Sequence, residues 1–213
     1  MDSLSSGIVL SGGSSRRFGA DKALVELDGK PLIQYVLDVV MPLVDETIIV
    51  VKAQEQGARI RAACKGSFII VFDESDFSSP LVGVLAGMGK AKGEASLLLA
   101  CDTPLLSSDV LSFLLHLGRS YDAVVPRWPN GNIEPLQAAY HTEKAREAAA
   151  EAIEAEEFRV YDVIKRLKNV LYVSTDVLKQ LDSGLRTFEN VNTPEDLRRT
   201  GALLEKKHSR ATP

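Results

Sequence analysis

The chain has 213 residues, 45% hydrophobic and 25% charged, with 25 basic against 29 acidic side chains and a formal net charge of −4. That composition is globular, excludes the disordered and fibrous classes, and suits one domain or at most two small ones. No stretch free of Asp, Glu, Lys and Arg exceeds 13 residues, short of the roughly 18 that a membrane span needs, and the acidic balance argues against a dedicated nucleic-acid binder.

Met1 to Ser6 is polar and the apolar run that follows ends at Leu10, so no secretory leader is expected. Cys64 and Cys101 have no paired spacing, which supports neither a disulfide framework nor a cysteine zinc site and suits a reducing cytoplasm.

Gly7 to Leu10 reads as a short apolar strand opening into Ser11-Gly12-Gly13-Ser14-Ser15. Residues 11–22 carry Arg16, Arg17 and Lys22 against Asp21 alone, a local excess of positive charge where an anion should bind. After Gly29-Lys30, the apolar pattern from Pro31 to Val40 predicts a helix with proline in its first turn. Strands buried on both faces are predicted at Thr47 to Val51, Phe68 to Phe72, Ser96 to Ala100 and Ala123 to Val125. Helices are predicted between them, near Gln54 to Ala63, Leu81 to Ala91 and Ser108 to Leu117. Pro129-Asn130-Gly131-Asn132 is a turn signal ahead of a strand from Ile133 to Tyr140, an antiparallel addition to the sheet. Thr142 to Ala155 reads as a helix showing most of its surface to water, and a short helix at Phe158 to Leu167 and a strand at Val170 to Val173 follow. Thr193 caps a helix that starts at Pro194, and Lys206 to Pro213 is expected to fray.

The alternation gives an α/β fold: a three-layer α/β/α Rossmann-like sheet, mostly parallel, in one domain over residues 1–205 with a tail from 206 to 213.

Four segments carry chemistry. In the first, from Leu10 to Lys22, paired glycines let backbone N–H groups approach phosphate oxygens while Arg17 and Lys22 supply positive charge. Its spacing is neither a Walker A loop nor G-x-G-x-x-G, and a solvated surface turn is the plain alternative. In the second, Leu97 to Ala100 is an apolar strand ending on Cys101-Asp102, which puts Asp102 where a Mg²⁺ between protein and phosphates can sit, or where a helix cap would. In the third, Asp73 likewise ends a strand, with Glu74 and Asp76 in the same loop, ahead of Gly83, Gly87 and Gly89, which read as helix-packing glycines. The fourth gathers Asn132-Ile133-Glu134-Pro135-Leu136 with Asn190-Val191-Asn192-Thr193-Pro194, where Asn192 can equally serve helix entry. The three histidines are isolated, and Cys101 belongs to the packed strand.

The runs Leu10-Ser11-Gly12-Gly13, Gly19-Ala20-Asp21-Lys22, Leu27-Asp28-Gly29-Lys30-Pro31-Leu32 and Cys101-Asp102-Thr103-Pro104 resemble the signature of the molybdenum cofactor guanylyltransferases, within the nucleotidyltransferase superfamily. Sugar-nucleotide and isoprenoid cytidylyl relatives usually carry proline where Asp21 stands, which favours the molybdenum branch. The resemblance implies transfer of GMP from GTP to a molybdopterin-type cofactor with release of pyrophosphate. It assigns Leu10, Ser11, Gly12, Gly13, Arg17 and Lys22 to the nucleotide and its triphosphate, Asp73 to GTP, and Asp102 to Mg²⁺. Arg17, Lys22 and Asp102 are thereby the catalytic candidates. The fourth segment is associated with the pterin, and a recipient molybdoenzyme is a further partner. Where the family commonly has an asparagine that contacts the guanosine, this chain reads Val51-Lys52-Ala53-Gln54, leaving Gln54 as a longer amide. CMP or other nucleotidyl transfer, and a non-catalytic GTP or cofactor carrier, are the alternatives.

Overall fold

A computed structural model describes residues 4–11, 14–15, 20–73 and 79–211. Seven strands form one sheet: β1 Ser5–Leu10, β2 Glu46–Val51, β3 Ile69–Phe72, β4 Ala95–Ala100, β5 Ala123–Arg127, β6 Gln137–His141 and β7 Val170–Ser174. Their spatial order is β3-β2-β1-β4-β6-β5-β7. Every neighbouring pair is parallel except those made by β6, which runs antiparallel to both β4 and β5. The expected mostly parallel sheet with one antiparallel addition is therefore the architecture observed.

The helices are α1 Leu32–Val40, α2 Gln54–Ala63, α3 Pro80–Lys90, α4 Ser108–Gly118, α5 Thr142–Glu154, α6 Val160–Arg166, α7 Thr175–Leu178 and α8 Pro194–Ala211. Successive strand residues point to opposite faces, and the core divides accordingly. Val9, Ile49, Val51, Leu97, Leu99 and Val124 pack on one face with Ile33, Val36 and Val40 of α1, Ile60 of α2 and Val110, Leu111 and Leu114 of α4. Ile8, Ile48, Val50, Leu98, Ala123 and Val125 pack on the other with Leu81, Val84 and Met88 of α3 and with α5 and α6. Crossover helices on both faces are what bury a parallel sheet.

Several elements depart from their sequence pattern. The strand expected from Ile133 starts at Gln137, and Ile133 makes only an isolated bridge to Arg127. Pro135 has no N–H to give a ladder, so Glu134 to Leu136 turn aside. Helix α5 buries Ala145, Ala148, Ala149 and Ala152 on the core side, where small side chains admit a close approach to α3, so it is less solvated than its polar composition suggests. Helix α8 continues through Ala211 past Lys206, where fraying was expected. Between β1 and α1 lies a hairpin, Glu26–Leu27 paired with Lys30–Pro31, turned by Asp28 and Gly29 at φ 52° and 74°, the positive pair of a type I′ turn. Of the glycines in α3, Gly87 fits close packing, because an added Cβ would lie 2.5 Å from Ile8 Cγ2. Gly83 has room for one, and Gly89 faces open space.

Asp122 ties the far end of the sheet together. Its carboxylate accepts from Lys144 Nζ at 2.6 Å and from the backbone N–H groups of Lys168 and Asn169 at 3.1 and 3.0 Å. The Lys144 hydrogen bond, with the backbone donors, holds this carboxyl below its ordinary range. A depressed folded-state pKa gives stability that is present above the unfolded value and lost as pH falls through the folded one. Asp122→Ala is expected to cost about 1–3 kcal/mol at pH 7. In urea titrations the gap from wild type should narrow below about pH 4.

Candidate functional site

The strand order places the site. Strands β1, β2 and β3 progress in one direction across the sheet, and β4 is then added on the other side of β1. Beyond the carboxyl ends of β1 and β4, connections leave in opposite directions and open a crevice, the usual ligand position in such a sheet. Register makes the ends flush: Leu10 lies beside Val50 and Ala100, and Val51 beside Phe72. Two backbone bonds continue the ladders past the strands, Ser11 N–H to Val50 O at 2.9 Å and Cys101 N–H to Leu10 O at 3.1 Å.

A cleft of about 300 Å³ occupies this crevice. Leu10, Val50, Val51, Pro80 and Leu136 give it apolar walls, and Lys22, Lys52, Asp73, Asp102, Glu134 and Asn190 carry its polar groups. On its lining Lys22 Nζ donates to Asp102 Oδ2 in an ion pair, and it donates also to Asn192 Oδ1 at 2.6 Å. Lys22 follows Asp21 in a single 3₁₀ turn, Lys22–Leu24, that the Asp21 carboxylate caps through the Ala23 N–H. Asp102 is fixed from the other side, since its carbonyl accepts the Val191 N–H at 2.9 Å. That bond delivers the segment from Asn190 to Asn192 to the cleft. Asn192 stands at the helix entry, where its N–H donates to Asp196 Oδ2 at 3.0 Å, and its side chain meets Lys22, a contact the sequence did not suggest. Thr193 and Asp196 then cap α8 reciprocally. The Thr193 hydroxyl and these backbone donors hold the Asp196 carboxyl below its ordinary range.

Asp73 lies side by side with Lys52, which follows β2 as Asp73 follows β3, and the two form an ion pair at 3.3 Å with Asp73 almost wholly buried. Glu134 accepts from Trp128 Nε1 at 2.6 Å, and burial pushes its carboxyl above the usual carboxylate range. Burial likewise raises the Cys101 thiol, which disfavours the thiolate a nucleophile needs.

The structure thus brings Leu10, Lys22, Asp73 and Asp102 to one cleft with Glu134 and Asn190. Ser11 is buried behind it, and Gln54 is exposed at the start of α2, away from the lining. Gly83, read only as a packing glycine, lines the cleft. Gly12, Gly13, Arg16, Arg17, Glu74 and Asp76 lie outside the described residues. Sequence reasoning missed Lys52, although the rule that selected Asp73 and Asp102, the first polar residue beyond a buried strand, selects it equally. It also missed Gln56. That buried side chain donates to Ser11 O at 2.9 Å and Asp21 Oδ1 at 3.1 Å, and it accepts from Lys52 N–H at 3.0 Å. Gln56 therefore pins both ends of the basic loop to the end of β2.

A cleft with apolar walls and two lysine–carboxylate pairs at the switch point of a mostly parallel sheet is the layout of a ligand-binding α/β protein. Residues 7–170 match the family described as MobA-like NTP transferase domain, and the chain belongs to that nucleotidyltransferase family. A protein of Natronomonas pharaonis named probable molybdenum cofactor guanylyltransferase is 34% identical over 200 residues, covering 93% of this chain and 97% of its own. One of the same name from Methanosarcina acetivorans is 32% identical over 198 residues, 90% and 88% of the two chains. Among solved structures, molybdopterin-guanine dinucleotide biosynthesis protein A from Archaeoglobus fulgidus superposes with a TM-score of 0.80 at 28% identity over 94% of this chain and 99% of that one. The 4-diphosphocytidyl-2C-methyl-D-erythritolsynthase of Anaerococcus prevotii shares the fold, with a TM-score of 0.71 at 15% identity over 95% and 96% of the chains.

Breaking the Gln56 network tests the loop's anchorage. Gln56→Ala is expected to lower stability by about 1–3 kcal/mol in urea unfolding. It should also weaken nucleoside triphosphate binding, measured by calorimetry, while far-ultraviolet circular dichroism stays unchanged.

Proposed function

We propose that the chain transfers GMP from GTP to the terminal phosphate of a molybdopterin-type cofactor, releasing pyrophosphate and forming the guanine dinucleotide cofactor. The observation that carries this reading is the Lys22, Asp102 and Asn192 cluster, of which Lys22 and Asp102 line the cleft. Lys52, Asp73, Glu134 and Asn190 line the same cleft. The relatives' names supply the substrates.

In the reaction an acceptor phosphate oxygen attacks the α-phosphorus of GTP. A bond forms from that oxygen to the α-phosphorus, the bond from the α-phosphorus to the bridging oxygen breaks, and pyrophosphate leaves with the electron pair. Both reactants are anions, so alignment and charge neutralisation carry catalysis, and no protein nucleophile is needed. Lys22 supplies positive charge where the phosphates meet. Leu10 ends β1 and Ser11 opens the loop that Gly12, Gly13 and Arg17 continue, the segment we assign to the triphosphate. Asp73 contacts the nucleoside half.

The donors around Lys22 suit Mg²⁺. Oxygens of Asp102 and Asn192 converge on one cationic group, the Lys22 ammonium, and hard oxygen donors with a single carboxylate are what Mg²⁺ uses beside phosphates. Among the described residues no three His, Cys, Asp or Glu gather into another metal cluster. Asp102 is the residue we assign to hold the ion, with Asn192 beside it. Bound there, Mg²⁺ would neutralise phosphate charge and polarise the α-phosphoryl group. Among the described residues no helix is long and apolar enough to cross a membrane, in keeping with a cytoplasmic enzyme that hands its product to a molybdoenzyme.

The test is acceptor-dependent pyrophosphate release with Mg²⁺ and GTP, with CTP and ATP as parallel donors. Acceptor-dependent release with GTP as the only effective donor is expected; none with GTP and acceptor would overturn the reading. Asp102→Ala and Lys22→Ala should each lower turnover by about 10²–10³-fold without loss of secondary structure by circular dichroism.

A further inference from the structure

Gln137 is the first residue of β6, and the antiparallel run of that strand brings its N-terminal end to the rim where the parallel strands finish. The residue is 2% exposed, yet it lines the cleft with Asp102, Glu134 and Leu136. Its Nε2 is buried with no hydrogen-bond partner, and its carboxamide bonds to none of the described side chains or backbone groups. The other two buried glutamines differ. Gln34 donates to Asp38 and accepts from Lys65, and Gln56 donates to Ser11 and Asp21 while accepting from Lys52. A buried amide left unpaired opposes folding, and one placed on a ligand cleft is explained when the ligand supplies its partner.

Resting on the function proposed above, we infer that Gln137 reads the lactam edge of a bound heterocycle, a ring N–H beside a ring C=O. A carboxamide offers a donor and an acceptor side by side and matches that edge with two hydrogen bonds. It is also neutral, and with the acid Glu134 three residues before it on the same lining this position suits an uncharged ring edge better than another phosphate. Pterin and guanine both present such an edge. Sheet order places β6 across β4 from β1, β2 and β3, the strands that carry Leu10, Lys52 and Asp73, so the pterin of the acceptor is the expected source.

The full-length protein and its Gln137→Met variant would be titrated calorimetrically with a phosphate-bearing 6-substituted pterin, with GTP, and with ATP, which has no lactam. Their ligand-free melting temperatures would be compared. Gln137→Met should melt at or above wild type, because an unpaired buried amide gives way to an apolar chain of similar size. Its affinity for the pterin should fall about tenfold, with GTP and ATP unchanged. Gln137→Glu, which exchanges the donor for a second acceptor, should lose the same affinity. A loss confined to GTP would support the lactam contact with guanine as its source. Unchanged affinity for both pterin and GTP, or a variant that melts below wild type without ligand, overturns the inference. Wild-type pyrophosphate release distinguishes the two failures: its absence sinks the transfer reading, whereas turnover with unaltered affinities in Gln137→Met sinks only the role of Gln137.

Discussion

The structure depends on one constraint, the reversal of strand order on either side of β1. Because β2 and β4 both flank β1 in parallel, the chain leaving Leu10 and the chain leaving Ala100 emerge at the same edge and must diverge. The Ser11–Val50 and Cys101–Leu10 backbone bonds hold these exits in register for one residue more. After that, backbone groups and side chains face an open crevice. The chain answers with the basic loop from one exit and a carboxylate from the other, and Lys22 to Asp102 is where they meet again.

Each lysine of the cleft sits against a carboxylate, Lys22 on Asp102 and Lys52 on Asp73. Their Coulombic attraction is strengthened by low solvent exposure, with Lys22 and Asp102 at 13% and 15%. Leaving either partner alone would strand a largely buried charge, which is costly. The pairs therefore keep two ammonium groups placed and partly desolvated, and a polyphosphate entering the cleft meets fixed cations rather than flexible surface side chains. The carboxylates do not cancel this preparation. Under the proposed function, Asp102 with Asn192 beside it would hold the divalent cation among the phosphates.

Much of this was legible in the sequence because burial on both faces leaves continuous apolar runs. The strands ending at Leu10, Val51, Phe72 and Ala100 could be placed from such runs, and the acids that follow two of them, Asp73 and Asp102, became site candidates from position, while Lys52 after Val51 was passed over. Helix α2 was found at its observed bounds although it is polar, since strands on either side required a crossover there. What could not be read has physical reasons. The alanine stripe of α5 has too little side-chain volume to register as a core face, yet its smallness is what lets α3 approach. Pro135 cut the predicted strand short by removing a ladder donor. Asp28-Gly29 carried a plain hairpin signal, overshadowed by its place in a longer motif. Gln56 and Gln137 are invisible to pattern reading, because nothing in a sequence tells a glutamine whose amide is satisfied from one whose amide is not.

The antiparallel strand deserves its place in this logic. In an all-parallel sheet only strand C-termini reach the ligand edge, and each contributes the few residues of its exit. Inserting β6 between β4 and β5 in the opposite sense sends an N-terminus to that edge instead. The segment from Glu134 to Gln137 then arrives on the cleft from outside the sheet and continues into β6, so its side chains form a wall backed by a strand rather than a loose loop. Trp128 braces the same wall through Glu134, and Trp128 is itself packed edge-on against Phe188, two residues before Asn190. The two elements on the far side of the cleft, one from β6 and one from the approach to α8, are thus locked to each other through an aromatic pair. A nucleotidyl transfer needs its two substrates aligned, and under the proposed function a cleft with one wall of parallel-strand exits and another of antiparallel entry would give each substrate its own wall.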